Sequence, residues 1–454
     1  MKRWLISRVV VVALLFGTLH LFVGAIARSS VPKGAIKENT AGIVGEIGNS
    51  SKLHFASPES FGISSEKLKE IDSIVNASIT KGAFPGCQIV VAYKGAIIYQ
   101  KSFGTRSMTD TTKVLNTDLY DIASVSKIAG TTTAMMYLQS IGKLNLDKQL
   151  KDYLDDIKNP QFQTINIREM MAHQAGLPAW IPFYKNTLIN NELNSSIYSK
   201  NKSEIFSVQV AEDIWIRKEY ADSIYQQIEK STLGAKKYLY SDLGYYFMKK
   251  IIEKQSGQTL DQLLTDKIYQ PMGLQCIGYN PLKNHAKSII TPTENDKLFR
   301  KQTVQGFVHD PGAAMLGGVG GHAGLFSNAT DLATLMQMIL NKGSYGGVEY
   351  IKPEVVEEYT KAQFAGNRRG VGFDRPNASG GGTCHELASS KSFGHSGFTG
   401  TLVWLDPAYE LNYVFLSNRV NPSAENWKIR DLNVRTEIQR VIYEAINRKN
   451  EPQK

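Results

Sequence analysis

The chain has 454 residues, of which 42% are hydrophobic and 21% charged, so it has the composition of a globular protein with room for two ordinary domains or one large one. Its formal net charge of +10 invites a nucleic-acid interpretation, but Lys and Arg are spread along the chain and no basic run is interleaved with aromatic residues. We therefore expect no nucleic-acid partner. A basic protein facing anionic lipid or cell-wall polymers fits the charge better.

The first 27 residues predict an export signal. Lys2, Arg3 and Arg8 precede an uncharged, mainly apolar stretch over residues 9–27. This stretch ends in Ala25-Ile26-Ala27, which has the small-x-small form that signal peptidase accepts. The stretch is also about long enough to span a bilayer, so an uncleaved membrane anchor stays open as an alternative. In both cases we expect the rest of the chain to leave the cytoplasm.

Residues 28–56 are rich in Gly, Ser, Lys and Asn and predict a linker. Apolar residues then recur at helical spacing and predict a helix over residues 65–79. Two β-rich runs, residues 87–93 and 96–100, flank the turn Lys94-Gly95 and predict a hairpin. The first part of the folded region is therefore expected to supply two neighbouring strands.

The C-terminal part carries a second predicted hairpin, with strands over residues 401–405 and 411–416. An apolar stripe over residues 438–446 predicts a last helix that covers a sheet. Between the hairpins the pattern is mostly helical, as over residues 333–339. We therefore predict an α+β fold of the α/β sandwich type, in which N- and C-terminal strands form one antiparallel sheet flanked by helices. A helical lobe would come from the middle of the chain, with the site at the junction.

Neither disulfides nor metals are expected to hold this fold together. The cysteines are Cys87, Cys276 and Cys384. Three thiols cannot all pair with one another, and buried free thiols are the expected state. His309, Asp310 and His322 can be imagined as metal ligands, but no His-x-x-x-His or cysteine-pair spacing supports such a site. We expect no metal and no cofactor.

Three short segments carry residues suited to acyl transfer. The first is Ser124-Val125-Ser126-Lys127. Of six Ser-x-x-Lys segments it is the one that follows an extended apolar stretch and opens a long helical run, predicted to continue to Gly142. The spacing i, i+3 makes Ser124 and Lys127 neighbours on one helix face. A lysine whose pKa is lowered by burial or nearby positive charge can activate such a serine as a nucleophile. The other two segments are Tyr240-Ser241-Asp242 and His395-Ser396-Gly397.

In order and separation, these segments resemble the active-site motifs of the serine β-lactamase and penicillin-binding protein superfamily. The closer match is to its class C β-lactamase, DD-peptidase and esterase branch, in which the middle motif begins with Tyr. The resemblance runs from about residue 57 to the C-terminus and implies one hydrolase domain over residues 57–450 with a β-lactamase/transpeptidase-like fold. It implies Ser124 as nucleophile and Lys127 with Tyr240 as the base pair, provided that contact with Lys127 lowers the pKa of the phenol.

The resemblance also assigns the oxyanion hole and the substrate contacts. The N–H groups of Ser124 and Phe398 would hold the oxyanion. Asp242, His395, Ser396 and Gly397 would contact substrate.

Two positions depart from the usual motifs. Asp242 replaces Asn and only accepts hydrogen bonds when ionised, so it either repels a substrate carboxylate or pairs with Lys127, and it can also cap the next helix. His395 replaces a Lys that would present a fixed charge to the carboxylate of a penicillin or a D-Ala terminus, and histidine is largely neutral at pH 7.

The sequence thus predicts an exported serine acyl hydrolase with a Ser-Lys-Tyr acyl-enzyme mechanism. Its substrates would be D-amino-acid peptides, amides or esters, including cell-wall-derived ones. A peptide or ester is favoured over a β-lactam because His395 lacks the fixed charge. A true β-lactamase and a penicillin-binding sensor or scaffold without turnover stay open as alternatives. We expect the protein in the periplasm or cell envelope, with anchoring in the inner membrane as the open alternative.

Overall fold

The computed structural model describes residues 52–447. The predicted signal or anchor and nearly all of the predicted linker therefore lie outside the described residues. Within residues 52–447, no helix is both long enough and apolar enough to cross a membrane.

A six-stranded sheet forms the centre of the fold, and both predicted hairpins belong to it. The strand order is His54–Phe55, Ala96–Gly104, Gly86–Tyr93, Leu411–Ser417, Leu402–Asp406 and Phe393–Ser396. All neighbours are antiparallel except the first pair, which is parallel. The prediction of one sheet built from both ends of the chain is confirmed.

The first hairpin turns at Lys94 and Gly95, whose φ angles are 52° and 78°. Two consecutive positive φ values match the right-handed twist of the flanking strands, and Gly95 adopts that conformation without strain. The strand Gly86–Tyr93 is buried along its whole length because it lies between two neighbours and under helices on both faces.

Alternate residues of this central strand enter two different cores. Ile89 and Val91 pack with Ile438 and Ile442 of the last helix, whereas Val90 lies on the other face, in the larger core. The period of two along a strand produces this division. The helices Glu70–Thr80 and Val434–Asn447 cover the first face, and Ala329–Leu340 packs against Leu411–Ser417 on the second.

The helix predicted over residues 65–79 is divided in two, Ser65–Leu68 and Glu70–Thr80. The middle of the chain is largely helical, as predicted, and joins the larger core. Its α-helices are Thr133–Ser140, Pro160–Gln163, Ile167–Met171, Tyr220–Glu229, Leu243–Ser256, Leu260–Leu264, Pro311–Met315, Ala329–Leu340 and Pro353–Thr360, with Lys428–Asp431 preceding the last helix. Single turns of other helix types are Pro58–Phe61, Lys127–Thr132, Leu150–Asp152, Phe183–Thr187, Thr265–Tyr269, Pro281–Lys283 and Lys287–Ile289.

Short strands complete the fold. Leu325–Ser327 pairs with Gly278–Tyr279 and with Tyr120–Asp121, and so ties the chain just before Ser124 to the helical part. A second small sheet is formed by Tyr198–Ser199, Ile214–Ile216 and Val208–Ala211. The remaining strands form two-stranded pairs: Leu188–Ile189 with Glu192–Leu193, Asn295–Asp296 with Gln302–Thr303, and Ser344–Tyr345 with Val348–Glu349.

Pairing in the main sheet begins before residue 57. His54 and Phe55 are opposite Ala96 and Ile97, and Ala56 N–H donates to the Ile97 carbonyl at 3.2 Å. The predicted linker, residues 28–56, therefore includes the first strand, His54–Phe55, near its end. The assignment of residues 57–450 to a single hydrolase domain stays a prediction.

Candidate active site

Ser124 lies on a tight turn between a short strand and a helix. After Tyr120–Asp121, Asp121 Oδ1 accepts a hydrogen bond from Ala123 N–H at 2.8 Å, and Ala123 has a φ of 47°. This left-handed conformation is uncommon for a residue with a Cβ and concentrates at functional sites. The helical run begins as a π-helical turn, Lys127–Thr132, and becomes α-helical over Thr133–Ser140. The long helical run expected from Ser124 to Gly142 is therefore present, but it contains a π-helical segment and ends at Ser140, two residues earlier than expected.

The hydroxyl oxygen of Ser124 contacts both predicted base residues. Lys127 Nζ lies 3.0 Å from Ser124 Oγ, and Tyr240 O–H donates to the same oxygen at 3.0 Å. The motifs of residues 124–127 and 240–242, separated by more than 100 residues in the sequence, thus meet at one atom. This is the arrangement that nucleophilic catalysis by a serine requires.

Lys127 is fully buried, and three oxygens surround its ammonium group. Besides Ser124 Oγ, these are the His322 carbonyl at 2.9 Å and Asp242 Oδ1 at 2.6 Å. Burial lowers the pKa of Lys127. The negative charge of Asp242 and the neighbouring tyrosines raise it by more than burial lowers it, so the net pKa lies above its usual value. The lowered pKa expected for a free lysine base is not found, because the carboxylate at residue 242 keeps the lysine protonated.

Tyr240 also departs from the expected electrostatics. Burial raises the pKa of Tyr240, and Lys127 reverses only part of that rise. The Arg369 guanidinium lies 5.3 Å from the Tyr240 ring centroid and the His173 ring 4.6 Å from it. In the resting site, Tyr240 is therefore a neutral phenol that donates to Ser124 rather than a ready base. Tyr238, two residues earlier, accepts a hydrogen bond from Arg369 at 3.2 Å and does not contact Ser124.

Asp242 immediately precedes the helix Leu243–Ser256, but its side chain does not cap that helix. Ser241 Oγ instead accepts from Leu243 N–H at 3.1 Å, which leaves the Asp242 carboxylate to Lys127. Of the roles weighed from the sequence, charge pairing with the lysine is the one that the geometry fits. Asp242 also lines a cavity next to Ser124.

The third motif packs against the residues just before Ser124 through its loop. Gly397 lies so near Thr401 and Ile122 that a Cβ at residue 397 would be 2.1 Å from Thr401 Oγ1 and 2.6 Å from the Ile122 carbonyl. Two hydroxyls strengthen this contact: Thr399 donates to the Asp121 carbonyl at 2.7 Å and Thr401 to the Ile122 carbonyl at 3.0 Å. A glycine is therefore required at position 397 to bring the motif beside the nucleophile.

His395 is held in one tautomer. Its Nδ1–H donates to the Ser396 carbonyl at 2.7 Å, because a carbonyl oxygen can only accept. Burial, with the positive charges of Arg369 and Lys127, lowers the pKa of His395 to about 3. Its Nε2 is therefore an unprotonated acceptor, and it is buried with no hydrogen-bond partner among residues 52–447. At this position the motif offers an acceptor instead of a cation.

Two cavities meet at Ser124, Tyr240 and Phe398. The first, of about 360 Å³, passes His395, Ser396 and Gly397 and is lined by five arginines and one carboxylate, that of Asp374; we call it the cationic arm. Its arginines are Arg368, Arg369, Arg419, Arg430 and Arg435. The second, of about 430 Å³, is lined largely by apolar groups and includes Trp180, His309 and Phe398; we call it the apolar arm. Phe398 follows Gly397 at the meeting point, and the pairing of its N–H with that of Ser124 as an oxyanion hole stays a prediction.

Sequence reasoning missed the arginines of the cationic arm. Arg369 is 5% exposed, with its Nε 3.3 Å from Asp374. Its Nη1 is buried without a hydrogen-bond partner in the described part of the chain. Arg368 donates hydrogen bonds to both oxygens of the Asp374 carboxylate, at 2.7 and 3.0 Å. The adjacent pair Arg368-Arg369 is visible in the sequence, but no spacing rule connects it to any of the three motifs.

The residues weighed as metal ligands form carboxylate–histidine pairs instead. His322 Nε2 lies 2.7 Å from Asp310 Oδ1, and His309 Nε2 lies 2.8 Å from Glu294 Oε2. Across residues 52–447, no group of three or more His, Cys, Asp or Glu side chains is arranged to hold a metal ion. All three thiols are free.

The sequence matches the Beta-lactamase family model over residues 71–435. The chain belongs to the beta-lactamase family. It is 32% identical over 395 residues to an Escherichia coli (strain K12) protein named "Putative D-alanyl-D-alanine carboxypeptidase", covering 80% of this chain and 85% of that protein. It is 30% identical over 401 residues to the N-acetylmuramyl-L-alanine amidase of Bacillus subtilis (strain 168), covering 82% and 85%.

The fold agrees with that membership. A penicillin-binding protein homologue from Caulobacter crescentus superposes with a TM-score of 0.61 at 16% sequence identity, covering 85% of this chain and 99% of the other. Together with the family match, this makes the chain a serine hydrolase of the β-lactamase and penicillin-binding protein superfamily. The family and fold predicted from the three motifs are confirmed.

Proposed function

We propose that this beta-lactamase family member is an exported serine acyl hydrolase that forms an acyl-enzyme at Ser124 and acts on D-amino-acid peptides, amides or esters. One observation carries the proposal: Ser124 Oγ lies 3.0 Å from both Lys127 Nζ and Tyr240 Oη, where two cavities meet. A surface Ser-x-x-Lys segment would have neither the buried lysine nor the phenol contact.

The Lys127–Asp242 pair supplies the route for the serine proton. As Ser124 Oγ attacks the substrate carbonyl carbon, its proton passes to Lys127 while Lys127 gives one of its own protons to Asp242, 2.6 Å away. Lys127 stays charged throughout, and the proton ends on the carboxylate. An aspartate at position 242 can accept that proton, whereas the asparagine of most relatives cannot. A raised pKa of Lys127 is therefore compatible with activity.

Collapse of the tetrahedral intermediate breaks the bond to the leaving group and forms the acyl-enzyme. Tyr240 O–H, next to Ser124 Oγ, protonates the departing nitrogen or oxygen. Tyr240 regains its proton from Lys127, and Lys127 regains one from Asp242, so that the serine proton is found on the leaving group at the end. The N–H groups of Ser124 and Phe398 hold the oxyanion, a contribution worth about 10²–10³ in rate per donor. Water then repeats the sequence to release the acyl group.

The substrate class rests on the cationic arm and on the relatives. The arm lies on the side of the third motif, which in this superfamily faces the carboxylate of a penicillin or a D-Ala terminus. Here Arg369 supplies the positive charge and His395 an acceptor for a substrate N–H or O–H. The E. coli relative is named as a D-alanyl-D-alanine carboxypeptidase and the B. subtilis relative as an N-acetylmuramyl-L-alanine amidase. We place a D-amino-acid peptide first on the name of the E. coli relative, with simple esters and then β-lactams after it.

Labelling by an active-site probe tests the nucleophile. The purified protein and its Ser124→Ala variant are treated with fluorescent penicillin and with a fluorophosphonate, and the labelled peptide is located by mass spectrometry. We expect the label on Ser124 and none on the variant. A folded protein that neither probe labels at Ser124 refutes the proposal. Labelling without turnover of any substrate supports the sensor or scaffold alternative instead.

Turnover of three substrates ranks the activities. Nitrocefin, p-nitrophenyl butyrate and a peptide ending in D-Ala-D-Ala are compared by kcat/KM. We expect the peptide to be the best substrate and nitrocefin the poorest. Nitrocefin turnover far above that of the other two identifies a true β-lactamase and overturns the ranking.

Export is proposed from the sequence of residues 1–27 and from the chemistry of the site, because cell-wall peptides lie outside the cytoplasm. The domain would lie in the periplasm or cell envelope, free after cleavage or anchored in the inner membrane. Cell fractionation with sequencing of the mature N-terminus distinguishes these two forms. A full-length soluble product in the cytoplasm refutes export.

A further inference from the structure

The cationic arm continues past Ser396 into a second, smaller cavity of about 310 Å³. We call it the distal pocket. Arg368, Arg430 and Arg435 line it, and no Asp or Glu is among its lining residues. The other polar groups on its wall are hydroxyls and amides, from Asn377, Thr383, Ser396, Asn433 and Thr436. Every side chain able to carry charge on this wall is therefore positive.

These arginines keep capacity for an additional anion. Arg435 Nη1 donates to the Thr401 carbonyl at 3.0 Å, and no carboxylate of residues 52–447 lies within ion-pair distance of this guanidinium. The Arg430 guanidinium pairs with its exposed neighbour Asp431 at 3.1 Å and lies over the Trp427 ring, 5.1 Å from the ring centroid. Arg368 shares Asp374 with Arg369, so that one carboxylate serves two guanidinium groups. Exposed pairs such as Arg430–Asp431 are weak and exchange readily for a better ligand.

The distal pocket and the cationic arm are continuous. Arg368, Arg430 and Arg435 line both cavities, as do Thr383, Ser396 and Ile429. Ser396 follows His395 in the strand Phe393–Ser396, so the route from Ser124 runs past the third motif and then into the distal pocket. A group bound there belongs to the same side of the scissile bond as the group bound by Arg369.

We propose that the distal pocket binds a second carboxylate on the leaving portion of the substrate, so that the preferred leaving group is a dicarboxylic D-amino acid or a peptide with an acidic residue at that place. This inference rests on the proposed function and specifies its substrate. Arg369 takes the terminal carboxylate, and the guanidinium groups at the distal pocket take the side-chain carboxylate. Planar guanidinium groups suit carboxylates because they donate two parallel hydrogen bonds.

Two dipeptides that differ in one group test the proposal. N-acetyl-D-Ala-D-Glu and N-acetyl-D-Ala-D-Gln are nearly the same size, but the second lacks the side-chain charge. Both are compared as substrates by kcat and KM, and as competitors of fluorophosphonate labelling at Ser124. We expect the D-Glu peptide to be favoured about tenfold, as one charge-assisted hydrogen bond at a partly exposed site provides. The preference should be expressed in KM.

Arg430→Gln removes one positive charge from the distal pocket, and Arg217→Gln removes one from a surface site that lines neither cavity. We expect Arg430→Gln to bring the D-Glu to D-Gln ratio close to one and Arg217→Gln to leave the ratio unchanged. Equal handling of the two peptides by the unmodified protein overturns the proposal, as does an Arg430→Gln variant that keeps the preference. Either result leaves the proposed function standing when Ser124 is labelled, whereas absence of labelling and of turnover refutes the proposed function itself.

Discussion

The two sides of Ser124 differ in how their buried polar groups are satisfied. On the Lys127 side, the ammonium group has three oxygens within 3.0 Å. On the His395 side, His395 Nε2, Arg369 Nη1 and Arg419 Nη2 are buried without hydrogen-bond partners in residues 52–447. An unpaired buried polar atom costs roughly 1–3 kcal/mol. The Lys127 ammonium group thus has its partners in the resting protein, whereas these three groups on the His395 side lack one within the described part of the chain.

Arg419 is one of the residues on the His395 side that have a donor unpaired within the described residues. Its guanidinium carbon lies 4.4 Å from the Phe398 ring centroid and 3.9 Å from that of Trp427, and it donates to three backbone carbonyls. Burial, with the positive charge of Arg435, lowers the pKa of Arg419 to about 10, so that it stays protonated at neutral pH. The arginine is rigidly held yet keeps a donor free. Such pre-organisation reduces the entropy cost of binding an anion.

Removing the nucleophile is the largest perturbation on the Lys127 side of the site. Ser124→Ala leaves the Lys127–Asp242 pair and the cationic arm in place, and we expect turnover to fall by about 10⁴-fold or more. Peptide binding should change little, because Arg369 and His395 are untouched. Steady-state kinetics and calorimetric titration with a D-Ala-D-Ala peptide measure the two quantities. A variant that retains a tenth of the activity contradicts the assignment of Ser124.

Breaking the buried ion pair comes next. Asp242→Asn leaves a fully buried ammonium without its carboxylate and removes the proton acceptor. We expect the free energy of unfolding at pH 7 to fall by about 3 kcal/mol and acylation to slow by about 100-fold. Urea unfolding and single-turnover labelling measure both effects.

Asp147→Asn is the matched control for Asp242→Asn, since it breaks the exposed contact with Arg168 and should cost under about 1 kcal/mol. Equal losses of stability in the two variants would contradict the role given to the buried pair.

Arg369→Gln tests the His395 side, which we call the recognition side because the substrate carboxylate would bind there. The positive charge facing the substrate carboxylate disappears while Ser124, Lys127 and Tyr240 stay in place. We expect kcat/KM for a peptide with a free C-terminus to fall about 30- to 100-fold, since truncating one partner of a buried charge pair typically costs that much. Hydrolysis of p-nitrophenyl butyrate, which has no carboxylate, should change less than threefold in the same assays.

Parallel losses on both substrates would mean that Arg369→Gln has damaged the fold and not substrate recognition. Thermal unfolding of the variant separates the two cases.

Sequence patterns located the reacting atoms better than the recognising ones. The first two motifs predicted the residues that meet at Ser124 because acyl transfer demands particular residue types at fixed spacing. Period-two and helical patterns predicted the two hairpins and the last helix. The direction of the Lys127 pKa shift could not be read from the motif, because it depends on a carboxylate 115 residues away. The sequence does not predict Arg369 as a site residue. Its position follows from the packing of residues 367–374 against the third motif, and no local sequence pattern encodes that packing.

The smallest effect is the contribution of His395 to the pH dependence of the protein's stability. Its pKa is about 3 in the folded protein and about 6.5 in an unfolded chain. Below pH 6.5 the unfolded chain therefore binds the extra proton, and the stability that neutral His395 contributes is full above pH 6.5 and declines as the pH falls towards 3. Between pH 7 and pH 5 we expect this residue alone to account for a loss of about 2 kcal/mol.

His395→Asn should reduce that loss, because an asparagine does not take up the proton. Urea unfolding at pH 7 and pH 5 gives the difference for the unmodified protein and for the variant. His54→Asn serves as the control, since His54 is exposed to solvent and its replacement should leave the pH dependence nearly unchanged. An identical pH dependence in the His395→Asn variant would mean that His395 accepts a proton in the folded state, and that the recognition side presents a cation where we place an acceptor.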